Sequence, residues 1–322
     1  MNLLHNITLL ITCYNKLPYL ENFVATLDQI YQEGPEIIII DDFSTDGSRE
    51  VILKLASSLP NIQVVLNSRN FGSAASRNLA LKRASREFVF FWDIDDEINV
   101  STLEFMAKIS VKESADLCQG DFIDLGSSQR VLNCEEPSLV RSDISQSSHV
   151  ITYEMGYWRY LYRRQFLEKN EILFMPTFDQ LQKSNFILDD VFFLILVSTC
   201  QGKIVFLKNL PPVYKYFRTN HDKSSWKRYQ NQAQWFPRAS LICIEYINQH
   251  QNFTIQTAKS LLFKKSVEHM RCLNLLHWTN SVMDIIKLRR KCKSAETTIP
   301  LLYLVGHTFK FALYNSIVKY YR

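Results

Sequence analysis

The first hundred residues alternate between short apolar runs and amphipathic stretches. Four apolar runs, rich in β-branched and aromatic residues, have the length of buried strands and cover residues 7–13, 36–40, 61–66 and 87–92. Between them, apolar residues recur at helical spacing and predict helices over 19–31, 46–59 and 74–84. Strands and helices that alternate in this way form right-handed βαβ units, so the sequence predicts an α/β fold with a largely parallel sheet.

The rest of the chain is less regular. Its patterns predict helices over 158–167 and 189–200, and strands over 203–207 and 213–217. From about Trp235 onward only helical patterns follow. We therefore predict an α/β domain over residues 1–235 and a helical extension over residues 236–322.

Composition excludes several classes of protein. No two of the eight glycines have the spacing G-x-G, which excludes a dinucleotide fingerprint and a P-loop. The seven cysteines contain no C-x-x-C pair, so we expect neither a disulfide framework nor a structural zinc site, and the cytoplasm is the expected location. The first residues do not resemble a signal peptide, and no apolar stretch has the roughly 20 residues that span a bilayer.

Charge is distributed unevenly along the chain. Residues 251–322 hold 12 Lys and Arg against 3 Asp and Glu, whereas residues 1–250 hold 25 against 29. An acidic main domain argues against nucleic acid as a partner, because phosphate binding needs a basic face. The basic segment Lys287–Lys293 (KLRRKCK) suits either an anionic membrane surface or simple exposure to solvent.

Polar clusters follow three of the predicted strands: Thr12–Asn15, Asp41–Asp46 and Asp93–Asp96. In a parallel sheet these strand ends share one edge, which is where α/β proteins bind ligands. Carboxylates in a tight turn suit Mg²⁺ or Mn²⁺ bound to substrate phosphates, although Asp residues also cap turns and helices without further function. Two acidic clusters at one edge would repel each other unless a cation or ligand donors lay between them, which favours the metal.

Seven segments resemble, in order, the motifs of family 2 glycosyltransferases of the GT-A fold: ITLLITCYNKLPYLENFVATLDQ, EIIIIDDFSTDGS, NFGSAASRNLALKRA, EFVFFWDIDDE, WRYLYRRQFLEKNEILF, NFILDDVFFL and VYKYFRTNHDKSS. Together they cover about residues 7–226. The resemblance implies a Rossmann-like, mixed but mostly parallel sheet flanked by helices, with a helical C-terminal extension. It also implies an inverting, metal-dependent hexosyltransferase, which moves a sugar from a nucleoside diphosphate sugar to an acceptor hydroxyl.

The resemblance implies which residues bind the donor. Thr12, Tyr14 and Asn15 would lie beside the nucleotide. Asp42 would hold the base or the ribose, and Arg77 would lie near the pyrophosphate or the base.

A second group of residues is implied to bind the metal and to catalyse the transfer. Asp96 would be the main ligand of Mn²⁺ or Mg²⁺, Asp95 would contact the metal or the ribose, and His221 would reach the metal or the diphosphate. Asp190 would be the base that takes the proton of the acceptor hydroxyl, although an Asp at the start of a helix also serves as a cap. Three positions differ from the commoner residues of the family: Thr12 in place of Pro, Phe43 in place of Gly and Asp189 in place of Glu.

The biological setting also follows from the resemblance. Members of the family build capsules, lipopolysaccharides and other surface glycans, which implies a uridine diphosphate sugar as the first donor to test and a glycan or lipid-linked glycan as acceptor. The apolar segment Leu301–Arg322 would either lie in the inner face of the plasma membrane or pack on the catalytic domain. Trp158, in a dense aromatic run, is either a platform for an acceptor sugar or part of the core.

Two other functions fit parts of the pattern. A sugar nucleotidyltransferase shares the sheet and the need for metal, but it begins with a Gly-rich basic loop that ITCYNKLPYL lacks. A non-catalytic nucleotide- or carbohydrate-binding subunit of an envelope assembly is the other alternative. It would have no reason to keep a full set of costly like charges, namely Asp42, Asp95, Asp96 and Asp190.

Overall fold

The chain forms two compact units. A computed structural model describes residues 3–32, 34–124, 138–144, 146–147, 156–175, 189–216, 234–250, 253–271 and 275–292, together with Thr308 and Ala312. The first unit contains Met1–Phe174 and Gln201–Asn220, and the second contains Met175–Cys200 and His221–Arg322. The predicted boundary at residue 235 therefore differs from this division, because 175–200 groups with the C-terminal helices.

An eight-stranded sheet forms the centre of the first unit. Across the sheet the order is β3 (Ile62–Leu66), β2 (Glu36–Asp41), β1 (Ile7–Cys13), β4 (Phe88–Asp93), β9 (Tyr160–Arg163), β6 (Leu117–Gln119), β10 (Lys203–Lys208) and β8 (Ser138–Asp143). The first four strands run parallel. Strand β9 is antiparallel to both neighbours, and β8 is antiparallel to β10. The predicted mixed, mostly parallel sheet is thus confirmed.

A second sheet of three short strands and five helices complete the described part of this unit. The sheet contains β5 (Glu97–Ile98), β11 (Tyr214–Tyr216) and β7 (Phe122–Asp124), with β11 in the middle. The helices are α1 (Leu20–Tyr31), α2 (Ser48–Ser58), α3 (Ser73–Arg83), α4 (Val100–Glu113) and α5 (Arg164–Lys169). The predicted strands and helices of the first hundred residues are confirmed with small shifts of their ends.

The centre of the large sheet is buried along nearly its whole length. Strands β1, β2 and β4 are closed to solvent at almost every position, and α3 packs against β1 and β2. A parallel strand covered on both faces needs apolar side chains on both faces. This explains why ITLLITC, EIIIID and FVFFWD are continuous apolar runs rather than alternating ones.

The predicted helix over 158–167 is wrong. Tyr157–Arg159 forms a short 3-10 helix, Tyr160–Arg163 forms β9 in the middle of the sheet, and only Arg164–Lys169 is α-helical. Tyr160 and Tyr162 are fully buried in this strand, which hydrogen-bonds to β4 on one side and β6 on the other. Aromatic residues fit such a packed sheet, and pairing along both edges overrides the helical spacing of the sequence.

The described part of the second unit consists of helices α6 (Asp189–Ser198), α7 (Phe236–Gln249), α8 (Ile255–Arg271) and α9 (Leu275–Lys291). Helix α7 packs against both α8 and α9, and α6 packs against α8. The ring of Phe192 in α6 stacks on that of Phe236 in α7, with centroids 4.6 Å apart. The side chains of α6 are almost all buried, which explains why its sequence is apolar around the whole helix.

The structure leaves the membrane hypothesis open. Among the described helices none combines the length and apolar character of a membrane span. The segment Leu301–Arg322 lies outside the described residues except for Thr308 and Ala312, which are helical and buried. In the basic segment before it, Arg290 and Lys291 are exposed and Leu288 is buried.

Central strand β1 provides a test of the fold. Leu9 is fully buried in β1, whereas Leu53 on α2 is 43% exposed. We expect Leu9→Ala to lower the free energy of unfolding by about 2–5 kcal/mol, because it leaves a cavity, and Leu53→Ala to change it by less than about 0.5 kcal/mol. Thermal and urea denaturation of the two variants would measure the difference. Equal losses would contradict the position of β1 in the core.

Candidate active site

Three polar strand ends meet at one edge of the large sheet, as predicted. Strand β1 lies between β2 and β4, and its last residues pair in register with theirs: Cys13 with Asp41, and Thr12 with Asp93. We call the five aspartates of this edge the acidic edge: Asp41, Asp42, Asp93, Asp95 and Asp96. Parallel strands with matched ends therefore bring carboxylates from distant parts of the sequence together.

Asn15 joins the loop after β1 to the loop after β2. Its backbone N–H donates to the Ser44 hydroxyl at 3.0 Å, and its side-chain oxygen accepts from the Thr45 N–H at 2.9 Å. Asn15 has a left-handed φ of 52°, a conformation that Asn tolerates better than most residues. The neighbouring Tyr14 is exposed. The roles of Thr12, Tyr14 and Asn15 beside a nucleotide stay predictions.

Asp42 organises the loop that precedes α3. Its buried carboxylate accepts hydrogen bonds from the Asn67 amide at 2.8 Å, the Phe71 N–H at 2.9 Å and the Gly72 N–H at 2.8 Å. A carboxylate has about four acceptor positions, so roughly one is left for a ligand donor. The predicted contact with a base or ribose remains compatible with this arrangement and stays a prediction.

Asp41 and Phe43 flank Asp42. The fully buried Asp41 pairs with the guanidinium of Arg49 at 2.7 Å, which compensates its charge. Arg49 also lies 5.5 Å from the centroid of the Phe43 ring. Phe43 has a left-handed φ of 70° and its side chain is 41% exposed. For a bulky residue this backbone conformation is strained.

Asp93 is held by α3 and by the turn before β9. Its carboxylate accepts from the Tyr157 hydroxyl at 2.8 Å and pairs with the Arg77 guanidinium at 3.4 Å. Arg77 lies 4.5 Å from the centroid of the Tyr157 ring. Arg77 is thus placed beside the acidic edge, where it can add positive charge near a bound anion. Its contact with a pyrophosphate or base stays a prediction.

Asp96 is fixed by Tyr214 of the small sheet. The Tyr214 hydroxyl accepts from the Asp93 N–H at 3.0 Å and donates to the buried Asp96 carboxylate at 2.9 Å. Burial raises the pKa of Tyr214 well above its usual value, and the negative charges of Asp96 and Asp93 raise it further. The phenol therefore stays protonated and keeps donating to Asp96.

Asp95 pairs with Lys16 from the loop after β1. The two charged atoms, Lys16 Nζ and Asp95 Oδ2, are 2.5 Å apart. Burial alone would lower the pKa of Lys16, but the charge and the hydrogen bond of Asp95, together with the charges of Asp93 and Tyr19, outweigh it, so the pKa of Lys16 is raised. Lys16 is therefore an ammonium ion at neutral pH.

The acidic edge fits a divalent metal that is shared with substrate. Asp95 and Asp96 offer the hard oxygen ligands that Mg²⁺ and Mn²⁺ prefer. In the described part of the chain no three His, Cys, Asp or Glu side chains gather as a metal site of their own. Mg²⁺ is commonly held by one or two carboxylates plus substrate phosphates, so two aspartates are enough.

Asp190 starts α6 in the second unit. Its carboxylate accepts from the Val191 N–H at 2.8 Å and is half-buried, while Asp189 is buried. This contact is to the next residue and is not the contact of a helix cap, although a carboxylate in the first turn suits the helix dipole, and the role of Asp190 as a base stays a prediction. His221, the third predicted metal ligand, lies outside the described residues.

Trp158 packs as a core residue. Its ring is buried and stacks on Tyr214 with centroids 4.3 Å apart, and it meets Phe122 edge-on at 5.0 Å. The ring therefore has little surface to offer to an acceptor sugar. Of the two interpretations of the aromatic run, this placement favours the core.

Three residues that lie at the site were not among the site residues predicted from the sequence: Lys16, Asn67 and Tyr214. Lys16 follows Asn15 directly, and Asn67 is the first residue after β3, so a rule that examines every polar residue at a strand end would have found both. Tyr214 reaches Asp96 from 118 positions away, and no local pattern indicates that contact.

The family of the chain follows from a comparison with known proteins. Residues 8–180 match the model described as glycosyl transferase family 2. The chain belongs to this family. The matched residues include all five aspartates of the acidic edge. The resemblance inferred from the motifs is therefore confirmed.

Two curated glycosyltransferases illustrate the similarity. The cholesterol galactosyltransferase of Borreliella burgdorferi is 24% identical over 237 residues, which are 68% of this chain and 61% of that protein. The putative teichuronic acid biosynthesis glycosyltransferase TuaG of Bacillus subtilis is 37% identical over 102 residues, 31% of this chain and 40% of that protein. The chain thus covers less than two thirds of the length of either relative.

Solved structures show the same fold. TarS of Staphylococcus aureus, residues 1–349 in complex with UDP-GlcNAc, has a TM-score of 0.67 at 20% identity and covers 98% of this chain and 91% of that one. The mannosyltransferase PcManGT of Pyrobaculum calidifontis, in complex with GDP-Man and Mn²⁺, has a TM-score of 0.52 at 14% identity. The alignment covers 98% of this chain and 87% of PcManGT. The glycosyl transferase family 2 chain therefore has the GT-A fold, as expected.

The strained backbone at Phe43 can be measured. Phe43→Gly and Phe43→Ala both remove the ring, but only Gly adopts the left-handed φ of 70° without a clash of its Cβ. We expect the Gly variant to be more stable than the Ala variant by about 1 kcal/mol, the scale of that clash. Denaturation of the two variants side by side measures the difference. Equal stabilities would show that the position is not strained.

Proposed function

We propose that the chain is an inverting, metal-dependent glycosyltransferase that moves a sugar from a nucleoside diphosphate sugar to an acceptor hydroxyl. The observation that carries the proposal is the acidic edge, where Asp95 and Asp96 lie beside the polar loops after β1 and β2. In an α/β sheet such an edge is the usual ligand site. Membership of glycosyl transferase family 2 supports the reaction class.

The donor is proposed to bind across the ends of β1, β2 and β4. Thr12, Tyr14 and Asn15 would contact the nucleotide, and Asp42, with about one free acceptor position, would accept a hydrogen bond from the base or ribose. A uridine diphosphate sugar is the first donor to test, because the TarS structure contains UDP-GlcNAc. Arg77 would add positive charge near the diphosphate.

The metal is proposed to bind Asp96 and Asp95 together with the donor diphosphate. When bound, Mn²⁺ or Mg²⁺ would neutralise the negative charge that grows on the leaving group. Tyr214 supports this role by fixing the Asp96 carboxylate with a hydrogen bond. Mn²⁺ in the PcManGT structure supports the choice of metal, and His221 stays a candidate ligand.

Asp190 is proposed to be the base. The acceptor oxygen attacks the anomeric carbon opposite the diphosphate, the bond from that carbon to the diphosphate oxygen breaks, and the hydroxyl proton passes to the Asp190 carboxylate. The leaving group departs as the nucleoside diphosphate. A single displacement inverts the configuration and needs no nucleophile from the protein, so one base is enough.

The acceptor is proposed to be a glycan or a lipid-linked glycan of a bacterial surface polysaccharide. The name of TuaG, a relative at 37% identity over part of the chain, refers to teichuronic acid biosynthesis and supports this setting. A lipid-linked acceptor would place the enzyme at the inner face of the plasma membrane, where the exposed Arg290 and Lys291 would favour anionic lipid.

Asp96→Asn tests the metal. The amide oxygen can still accept the Tyr214 hydrogen bond, so the fold should persist while the negative ligand is lost. We expect Mn²⁺-dependent release of nucleoside diphosphate from uridine, guanosine or thymidine diphosphate sugars to fall at least roughly 10²-fold. The rise in melting temperature with Mn²⁺ and donor together should also disappear.

The matched control is Asp28→Asn, the same change at an exposed position of α1. It should behave like the wild type in both assays. Full activity of the Asp96 variant would remove the metal assignment. No hydrolysis or transfer with any nucleoside diphosphate sugar in the wild type would contradict the proposed reaction.

Asp190→Asn separates the base from a structural role at the start of the helix. The amide oxygen of Asn can still accept the Val191 N–H, so a purely structural role should tolerate the change. As a base, Asp190 should be essential, and we expect transfer to fall by roughly 10²–10⁴-fold with donor affinity unchanged. Single-turnover transfer and donor titration measure the two effects. Lost donor affinity with normal turnover would assign Asp190 to donor binding instead.

A further inference from the structure

We infer that Lys16 is a displaceable counter-ion of Asp95: it holds the carboxylate when the metal is absent and makes metal and nucleotide bind together. The inference rests on the proposed function, since it concerns the same metal site. Its starting point is the contact between Lys16 Nζ and Asp95 Oδ2 at 2.5 Å. Lys16 and Asp95 lie 79 positions apart, in the loops after β1 and β4.

A hydrogen bond to α2 holds the backbone of Lys16 in place. Its N–H donates to the Ser48 hydroxyl at the start of α2, at 2.9 Å, and Asn15 before it has the left-handed φ that turns the chain. Its ammonium lies 5.4 Å from the centroid of the Tyr19 ring. The base of the side chain is therefore anchored, while its four-carbon chain leaves the ammonium able to move.

The ion pair is also accessible to solvent. The side chains of Lys16 and Asp95 are 29% and 27% exposed. A hydrated metal ion can therefore reach the Asp95 carboxylate without unfolding the loops. By contrast, Asp96 is 4% exposed and holds the Tyr214 hydroxyl. Asp95 is thus the more accessible of the two proposed metal ligands.

Charge makes the ammonium and the metal competitors. A divalent ion at Asp95 brings two positive charges close to the one on Lys16, and like charges a few ångströms apart repel strongly in a partly buried site. When the metal takes the carboxylate, Lys16 needs another anion, and the donor diphosphate provides one. Metal and nucleotide should then favour each other, and such a coupling acts equally in both directions.

An ordinary ion pair is the alternative. Exposed pairs contribute little to stability, and if Asp95 binds no metal, removal of its lysine partner leaves Mn²⁺ binding unchanged. The two explanations therefore differ in one measurable quantity, the affinity of the protein for Mn²⁺ without nucleotide. The counter-ion model predicts a gain in affinity when the positive charge is removed, whereas an ordinary pair predicts none.

The experiment measures Mn²⁺ binding by the electron paramagnetic resonance signal of free Mn²⁺, using the full chain. Wild type, Lys16→Met, Lys16→Gln and Lys16→Arg are titrated without nucleotide and with UDP, GDP or dTDP. Lys54→Met, at an exposed position of α2, is the control for loss of a lysine. Melting temperatures verify that each variant is folded.

We expect both neutral variants to bind Mn²⁺ roughly ten-fold or more tightly than wild type when nucleotide is absent. With the nucleotide that binds, their advantage should shrink, because Lys16 has then left Asp95 in the wild type. Lys16→Arg should retain weak Mn²⁺ binding, since it keeps the charge, and Lys54→Met should match the wild type.

Two results would overturn the inference in different ways. If the folded neutral variants bind Mn²⁺ as the wild type does without nucleotide, Lys16 is an ordinary ion-pair partner and the proposed function is untouched. If the wild type binds no Mn²⁺ even with all three nucleotides, the metal assignment itself is wrong and the inference falls with it.

Discussion

The register of three parallel strands is the constraint on which the site depends. Because β1 ends level with β2 and β4, the carboxylates at the ends of β2 and β4 lie at one edge of the sheet, on either side of the loop after β1. Like charges this close raise the free energy of the folded protein unless each is compensated. Many of the hydrogen bonds and ion pairs near this edge compensate the charge of these carboxylates.

Each carboxylate of the acidic edge has a different partner. Asp41 has the guanidinium of Arg49, and Asp93 has Arg77 and a tyrosine hydroxyl. Asp42 and Asp96 receive neutral hydrogen bonds, whose donors also fix the loop before α3 and the small sheet. Asp95 pairs with Lys16, and both side chains are partly exposed. The carboxylates of Asp41, Asp42 and Asp96 are buried, whereas the Asp95 pair is open to solvent.

The sequence predicted the parts that depend on local patterns. Continuous apolar runs indicated β1, β2, β3 and β4, and the alternation with helices indicated their parallel order. Polar residues after the strands then identified the edge of the sheet. These inferences succeeded because a buried parallel strand and the residue at its end are both local properties of the chain.

The sequence could not predict what depends on distant contacts. The aromatic run before α5 has helical spacing, and only its neighbours β4 and β6 make it a strand. Tyr214 gains its position at Asp96 through the small sheet, where β11 pairs with β5 and β7. Phe43 stands where the family more commonly has glycine. Its left-handed φ is the backbone conformation that glycine adopts most easily.

The partners of the acidic edge change one argument made from the sequence. From the sequence, two adjacent acidic clusters are expected to repel each other unless a cation or ligand donors lie between them. In the folded chain Arg49, Arg77 and Lys16 supply positive charge at this edge and compensate its carboxylates. Retention of the acids by itself therefore no longer excludes a non-catalytic binding subunit.

The case for a metal now depends on a narrower observation. Asp95 and its partner Lys16 are both partly exposed, whereas Asp41 is fully buried beside the guanidinium of Arg49. A pair that served only stability would gain from burial and from the rigid fork of an arginine. An exchangeable cation at a carboxylate suits a site where another cation must bind and leave in each turnover. Under the proposed function, Asp95 is therefore the carboxylate at which the metal would bind and leave.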